Sequence, residues 1–476
     1  MDALSYVGSY FGGAAKTTLN VAIYAATLGR FVLLEGRVRG GVFKNWAGRF
    51  PYRAQRFDRP NTEAELVDLV QDSQKVRVFG SGHSFNDGVV SEETLVSLDD
   101  YSGVVRRDIA KKRLTVKGGT RVRKVVELLL DDGLAFEALP SHDAQSIAGI
   151  LSTDVHGTGR DWGFVNESVV SLKLIDGNGE VHECRPSDDL FKAAVGGVGA
   201  VGIISEVVVR GVERFNVEQD VKTMSVSYVE KNLDRMLEEH EHLSLYLFPF
   251  AKRCRVNTWN ATPKGKTRFG KIREFVRISA DALIAAWVGN LFAYTGLLRL
   301  ASPLYGIERG SNLVLESNEA FNRSIYHLHQ ELEFTVPFEE TFKTCRDFLC
   351  LYEKMYRAGM PYLILEVRFT PARDRTLMGA GHGRRSTWID LVCNDSRGFE
   401  EYYAAAEELI KEIGARPHLG KFCESFGNAD MARLHGHRFE RFLNLVATRD
   451  PDGKFANAFI RRVFGQGSPK PAGASS

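Results

Sequence analysis

The sequence predicts an α+β fold in two domains, and three observations carry that reading. The chain has 476 residues, well beyond the ~250–300 at which a single hydrophobic core stops growing. Its apolar runs mix hairpin-like strands with helix-linked strands and lack the regular beat of a parallel βαβ array. The strand pattern also restarts at residue 244, beyond a break near Arg210. The divisions expected are an apolar and basic extension at 1–44, a first domain at 45–210, a second at 211–465 and a disordered tail at 466–476.

Each element has its own signal. Residues 61–70 (NTEAELVDLV) offer a capping Asn61, a glutamate in the first turn and apolar residues at helical spacing. Residues 75–79 (KVRVF) form a short strand that runs into Gly80-Ser81-Gly82. A strand at 113–117 follows, then an amphipathic helix at 121–132 stopped by Gly133. Strands at 169–175, 181–184 and 203–209 complete the first half. The second half opens with a strand at 244–248 and then turns basic, with Lys264, Lys266, Arg268, Lys271, Arg273 and Arg277 close together. Residues 282–298 carry no charge, but Gly289, Asn290 and Gly296 weaken a membrane span. A buried connecting helix or a surface-docking element is expected there. Strands at 332–336, 363–369 and 386–392 with a helix at 399–413 predict an antiparallel sheet backed by helices.

Composition narrows the function. Hydrophobic residues make up 44% and charged residues 26%, which suits a globular protein and not a disordered one. A net charge of +2 and the lack of any nucleic-acid signature give no reason to expect DNA or RNA as a partner. Six cysteines lie scattered without a CxxC pair, as reduced thiols in a cytoplasmic protein would. No histidine spacing suits a metal site, so none is expected, and His435-x-His437 reads as a surface pair. The 45 glycines fall partly in short loops between apolar runs, where backbone can approach a ligand closely.

The N-terminal stretch is unusual. Residues 4–15 and 17–29 are uncharged, but Lys16 and Arg30 interrupt them before ~18 apolar residues accumulate. No small-residue cleavage site follows, so a secretory signal is not expected. Up to Arg56 there are eight basic residues against Asp2 and Glu35. Two readings stand: a helix on an anionic membrane surface, or an extension packed on the protein itself. Peripheral membrane contact through 1–44 and 278–300 is the expectation to test.

Three loops carry the chemistry. The first, Gly80-Ser81-Gly82-His83-Ser84-Phe85-Asn86-Asp87, is not a dinucleotide fingerprint, because Phe85 stands where the last glycine belongs. It does suit a nest of backbone N–H groups around a pyrophosphate. The second runs from Ser152 to Gly159 and the third from Gly196 to Ile204. Each alone reads as a surface turn. Together in one domain they suggest one long ligand lying across several backbone runs.

In that order, RVFGSGHSFND, QSIAGILSTDVHGTG and GGVGAVGIISEVVV resemble the FAD-binding half of the vanillyl-alcohol-oxidase-type flavoproteins. LEVRFTPA (365–372), RPHLGK (416–421) and RDPDGKFAN (449–457) are similar to the sugar-1,4-lactone oxidase branch, which holds gulonolactone, arabinonolactone and alditol oxidases. The resemblance implies a PCMH-type FAD-binding domain at 45–210 and an α+β cap or substrate domain with an antiparallel sheet at 211–465. It assigns FAD contacts to Gly80, Ser81, Gly82, His83, Ser84, Ser146, Gly149, Ser152, Thr153, His156, Gly157, Gly159, Gly202 and Ile203. His83 takes the place of the histidine that this family commonly bonds to the flavin 8α-methyl group, so covalent FAD is expected.

On the substrate side the resemblance points to Glu366, Arg368 and Lys421, with His418 as a further polar contact. Glu366 and Arg368 lie two apart on a predicted strand and so share a face. The implied reaction is FAD-dependent oxidation of a secondary alcohol on a sugar lactone or polyol, with electrons passing to O2 or another acceptor. Arg368 and Lys421 would stabilise developing charge. Glu366 would orient or deprotonate the hydroxyl whose carbon gives its hydride to flavin N5.

Three departures from the family pattern bear on the substrate. Asp154 stands where glycine is frequent, Leu419 replaces a frequent Trp, and His382-Gly383-Arg384-Arg385 replaces Tyr-Gly-Arg-Asp. Asp154 and the apolar–basic stretches motivate one alternative, an oxidase of a lipid-linked or membrane-derived sugar. A non-catalytic binding protein that kept the fold is the other.

Overall fold

Burial of β-branched runs builds the two main sheets of the first half. The computed structural model describes residues 3–27, 37–91, 93–302, 311–322, 328–394 and 398–465. Thr94–Ser97 lies between Arg56–Asp58 and Val76–Phe79 in a three-stranded parallel sheet. Its crossover helix, Glu63–Asp72, buries Leu66, Leu69 and Val70. The helix is capped by Thr62, not Asn61: Thr62 Oγ1 accepts from the Glu65 N–H at 3.1 Å. The Asn61 N–H instead donates to the Glu65 carboxylate at 2.8 Å.

Five antiparallel strands follow in the order Val181–Cys184, Val169–Ile175, Ile203–Arg210, Arg113–Lys117 and Val104–Asp108. Helix Val122–Asp131 buries Val122, Val125, Leu128 and Leu129, and Gly133 ends the turn at φ +73°.

The second half is one eight-stranded antiparallel sheet. Its order is Ser311–Glu316, Asn216–Ser225, Arg253–Thr262, His242–Leu247, Leu363–Thr370, Ser386–Asn394, His329–Pro337 and Arg416–Pro417. Helices Thr341–Met355 and Phe399–Glu412 pack against it through Phe348, Tyr352, Tyr402 and Tyr403, all fully buried. Phe334 faces those helices, its ring 4.6 Å from Phe348. Strand alternation therefore turns its neighbour Glu333 to the opposite face, toward the first half.

The chain then returns to where it began. The Val76 N–H donates to the Lys454 carbonyl at 2.8 Å, and Asn457 Nδ2 donates to the Asp87, Gly88 and Val90 carbonyls at 3.1, 3.2 and 2.8 Å. Helix Asn428–His435 buries His435, whose Nδ1 lies 3.1 Å from His382 Nε2. Of the H-x-H pair only His437 is at the surface. The described cysteines are free thiols, all buried except Cys350.

The N-terminal helix, Ala3–Ala26, lies against helix Gly270–Leu283 and its π-helical continuation Ile284–Gly289. Ala14, Thr17 and Asn20 are buried there. Tyr24 stacks on Phe275 at 5.5 Å, Trp287 Nε1 donates to Thr18 Oγ1 at 3.1 Å, and the Leu328 N–H donates to Thr17 Oγ1 at 3.2 Å. Among the described residues one helix, Gly270–Tyr294, is long and apolar enough to cross a membrane by length and composition. The expected tail at 466–476 lies outside the described residues.

Candidate active site

A cavity of about 210 Å³, counted as space open to the centre of a water molecule, lies between the two halves. The first half supplies Gly80, Ser81, Gly82, His83, Ser84, Ser146, Gly149, Ser152, Thr153, His156, Gly202 and Ile203. The large sheet and the loop after it supply Glu366, Arg368, His418 and Lys421. Two residues named from the sequence stand off this wall. The Gly157 N–H bonds the Gly163 carbonyl at 2.7 Å, and the Gly159 N–H bonds the Phe369 carbonyl at 2.8 Å. Gly157 closes its own loop and Gly159 ties that loop to the large sheet, instead of lining the cavity.

On the first-half side, backbone is brought close. A Cβ on Gly80 would stand 1.9 Å from Ser146 Oγ, and one on Gly202, at φ +148°, would stand 2.4 Å from the Ile175 carbonyl. Arg77 fixes three segments at once. Its guanidinium donates to the carbonyls of Gly88 at 2.8 Å, Val198 at 2.8 Å and Phe455 at 2.9 Å. Burial lowers its pKa to about 10, yet it stays charged at neutral pH. Asn45 and Trp46 buttress the first loop from outside: Asn45 Nδ2 donates to the Ser84 carbonyl at 3.0 Å, and the Trp46 N–H to the Gly82 carbonyl at 2.9 Å.

His83 stacks on Trp46 at 5.7 Å and sits 4.5 Å from the His142 ring. Its Nε2 is buried and has no hydrogen-bond partner. Burial, then the nearby His142 and Arg121, push the imidazole well below its ordinary range. His83 is therefore neutral, with the free lone pair that a nucleophile needs.

The opposite wall is a row of charge across three strands. Register pairs Tyr246 with Glu366, Glu366 with Asp390, and Asp390 with Glu333. Glu331 lies two residues along on the same face. Arg368 Nη2 meets Glu333 at 2.5 Å and Asp390 at 3.6 Å, and Arg368 Nε is buried without a hydrogen-bond partner. Lys421 Nζ bonds Glu331 and lies 3.4 Å from Asp390. Tyr246 Oη donates to Glu366 Oε1 at 2.8 Å.

Asn86 joins the two walls. Its Nδ2 donates to the Leu419 and Lys421 carbonyls at 2.7 and 2.8 Å, which fixes Lys421 relative to the His83 loop.

Glu331, Glu333 and Asp390 share two fixed cations, and their titrations diverge. Burial works to raise Glu331, but Lys421 and then His329 outweigh it and hold the carboxyl below its usual range. Arg368, His156 and Lys421 do the same for Glu333 against its burial. Asp390 goes the other way. Burial, then Glu331, lifts it well above the carboxylate range, so it is the acid of the row that stays protonated. Its Oδ1 has no partner. Burial holds the His418 imidazole at about 3, and its Nδ1 accepts from the Gly420 N–H at 3.0 Å. His156 stacks on Trp388 at 3.6 Å and places Nε2 3.1 Å from Glu333.

Sequence reasoning missed Glu331, Glu333, Asp390, Tyr246, Arg77 and Asn86. A signal existed for three of them. His329, Glu331 and Glu333 alternate along HQELEF, and Asp390 interrupts TWIDLVC, the same two-residue logic that singled out Glu366 and Arg368.

Of the departures noted in the sequence, Leu419 lines the cavity beside His418, and the other two lie away from this wall. The Asp154 backbone is at φ +54°, and its carboxylate accepts from Asn166 Nδ2 at 2.6 Å, buried beneath the loop. Burial raises it to about 7. His382, Gly383, Arg384 and Arg385 are not cavity residues; Arg385 covers the Phe338 ring at 3.7 Å. Asp176, Glu180 and His182 form the one trio with metal-like spacing among the described residues. Asp176 already accepts from the N–H groups of Asn178 and Glu180, so this is a turn clasp.

Comparison with known proteins agrees with this geometry. A family model for an FAD-binding domain matches residues 54–185, and one for D-arabinono-1,4-lactone oxidase matches residues 207–463. The chain belongs to the D-arabinono-1,4-lactone oxidase family, FAD-dependent oxidoreductases of sugar lactones. It is 27% identical to an L-gulono-1,4-lactone dehydrogenase of Mycobacterium tuberculosis over 89% of this chain and 99% of that protein. An L-gulonolactone oxidase of Bos taurus is 24% identical over 90% of this chain and 99% of its own. A D-arabinono-1,4-lactone oxidase of Kluyveromyces lactis is 31% identical over 47% of this chain and 45% of its own. The fold is similar to that of a solvent-stable cholesterol oxidase, with a TM-score of 0.69 at 15% identity over 88% of this chain and 96% of the other.

Proposed function

We propose that this enzyme oxidises a secondary alcohol on the ring of a sugar 1,4-lactone, within the cavity between the His83 loop and the Glu366 row. The observation that carries the reading is their shared cavity: backbone stripped of side chains on one wall, and paired acids and cations on the other. FAD supplies the hydride acceptor. The residues fit it, because side chains at Gly80 and Gly202 would collide with the protein and His83 Nε2 is unsatisfied. His83 would hold it covalently.

Glu366, steadied by Tyr246 at one oxygen, accepts the hydroxyl proton. Arg368 Nε, which has no hydrogen-bond partner, and Lys421 favour negative charge on the substrate oxygen. Protonated Asp390 and the His418 imidazole orient the remaining oxygens of the lactone. In this reading, residues 45–210 hold the cofactor and 211–465 carry the substrate wall. The lipid-linked sugar loses one of its two motives, because Asp154 points into the protein.

Two measurements test this. Anaerobic addition of gulono- or arabinono-1,4-lactone is expected to bleach the flavin spectrum, and a panel of sugar lactones that leaves it unbleached overturns the reading. After acid precipitation, the yellow colour is expected in the pellet for the wild type and in the supernatant for His83→Ala. Colour released from both would remove the covalent bond but keep the reaction.

A further inference from the structure

We propose that the helix spanning residues 270–294, with the turn that follows it, docks the enzyme on an anionic lipid bilayer. The helix is inside-out. Its protein-facing side carries charge and small residues. Glu274 is buried and pairs with Arg277 at 2.6 Å, while Asp281 bridges Arg255 at 3.1 Å and Arg277 at 3.2 Å. Ala282, Ala285, Ala286 and Ala293 are buried, and Gly289 seats on the Tyr362 ring, where a Cβ would be 3.0 Å away.

Phe275 and Trp287 meet the N-terminal helix, but six other large apolar side chains point the other way. Ile272, Val276, Ile284, Val288, Leu291 and Leu300 are 42–74% exposed. An ordinary surface helix buries its large apolar face against its own core. Here the π-helical turn Ile284–Gly289 keeps Ile284 and Val288 in line, so the exposed stripe continues along the helix. A stripe of this length marks an interaction surface.

Its rim says which partner. Lys266, Arg268 and Arg273 at one end and Arg299 at the other are exposed and make no ion pair among the described residues. Apolar residues flanked by exposed cations that no carboxylate neutralises suit the boundary between acyl chains and anionic headgroups. A second copy seated on the same stripe by two-fold symmetry would bring like charges together. The helix lies on the bilayer and does not span it, because its inner face is bonded to the fold through Glu274, Arg277 and Asp281.

The test is co-sedimentation of the full-length, FAD-loaded protein with phosphatidylcholine vesicles, with and without phosphatidylglycerol. Wild type is expected to pellet with phosphatidylglycerol vesicles and to be released by high salt. The variant Val276→Glu/Ile284→Glu/Leu291→Glu is expected to bind about tenfold less, with flavin content and lactone oxidation in solution unchanged. Should that variant misfold, Lys266→Glu/Arg268→Glu/Arg273→Glu, altered only at exposed positions, is expected to lose the dependence on phosphatidylglycerol. The proposal is overturned if wild type stays in the supernatant, or if the variants pellet as wild type does. It is also overturned if light scattering shows a dimer that the glutamates split while vesicles are ignored.

Discussion

Replacing Asp390 with Asn isolates the proton that folding places on this acid. Asp390 sits between Glu366 and Glu333 in register, with Lys421 at 3.4 Å and Arg368 at 3.6 Å. Burial, then Glu331, raises its pKa well above the ordinary value. The folded protein therefore keeps a proton that the unfolded chain releases above pH ~4. Stability falls as pH rises through that window, by about 1.4 kcal/mol per unit until the folded pKa is reached. An asparagine side chain carries no such proton, and its amide oxygen occupies the same place. The Asp390→Asn variant should thus gain on wild type as pH rises above ~4, by about 1.4 kcal/mol for each unit over which the folded protein keeps that proton.

With an unfolding entropy of about 2.1 cal/mol/K per residue, each such unit amounts to about 1.4 °C in Tm for a chain of this length. Scanning fluorimetry of both proteins, FAD-loaded, at pH 5, 6, 7 and 8 reads the difference. A gap that stays flat with pH, or closes as pH rises, would show Asp390 ionised and refute the reasoning.

Other changes follow from the same geometry. Lys421→Met is expected to slow anaerobic flavin reduction by a sugar lactone about 100-fold or more while FAD stays bound; an unchanged rate takes Lys421 out of the reaction. Arg77→Met leaves the Val198 and Phe455 carbonyls without their buried donor and the Gly88 carbonyl with Asn457 alone. It should cost about 3 kcal/mol or more and loosen FAD, so wild-type Tm with full flavin content would count against the clamp. Gly202→Ala forces a side chain onto the Ile175 carbonyl at φ +148°, and loss of bound FAD measured by absorbance is the expected result.

The ten-residue strands Asn216–Ser225 and Arg253–Thr262 were not legible in the sequence. The buried face of NVEQDVKTMS passes through Gln219, and RCRVNTWNAT buries Asn257 and Thr258, so pairing across the sheet, not local hydrophobicity, makes them strands. The cap falls on Thr62, one residue beyond Asn61, because the Thr62 hydroxyl accepts from the Glu65 N–H.

The sequence by itself determined the α+β class, the three small-residue loops, the His83 position and the pairing of Glu366 with Arg368 on one face. Those are local properties: residue size, backbone freedom and the two-residue period of a strand. Only the tertiary structure decided that Glu333, Asp390 and Glu366 form one row, that Asn86 holds Lys421 against the His83 loop, and that Asp154 faces inward. Each depends on strand order and on segments 12 to more than 300 residues apart in the chain. Sheet register and long-range hydrogen bonds set these meetings, and no local pattern encodes them.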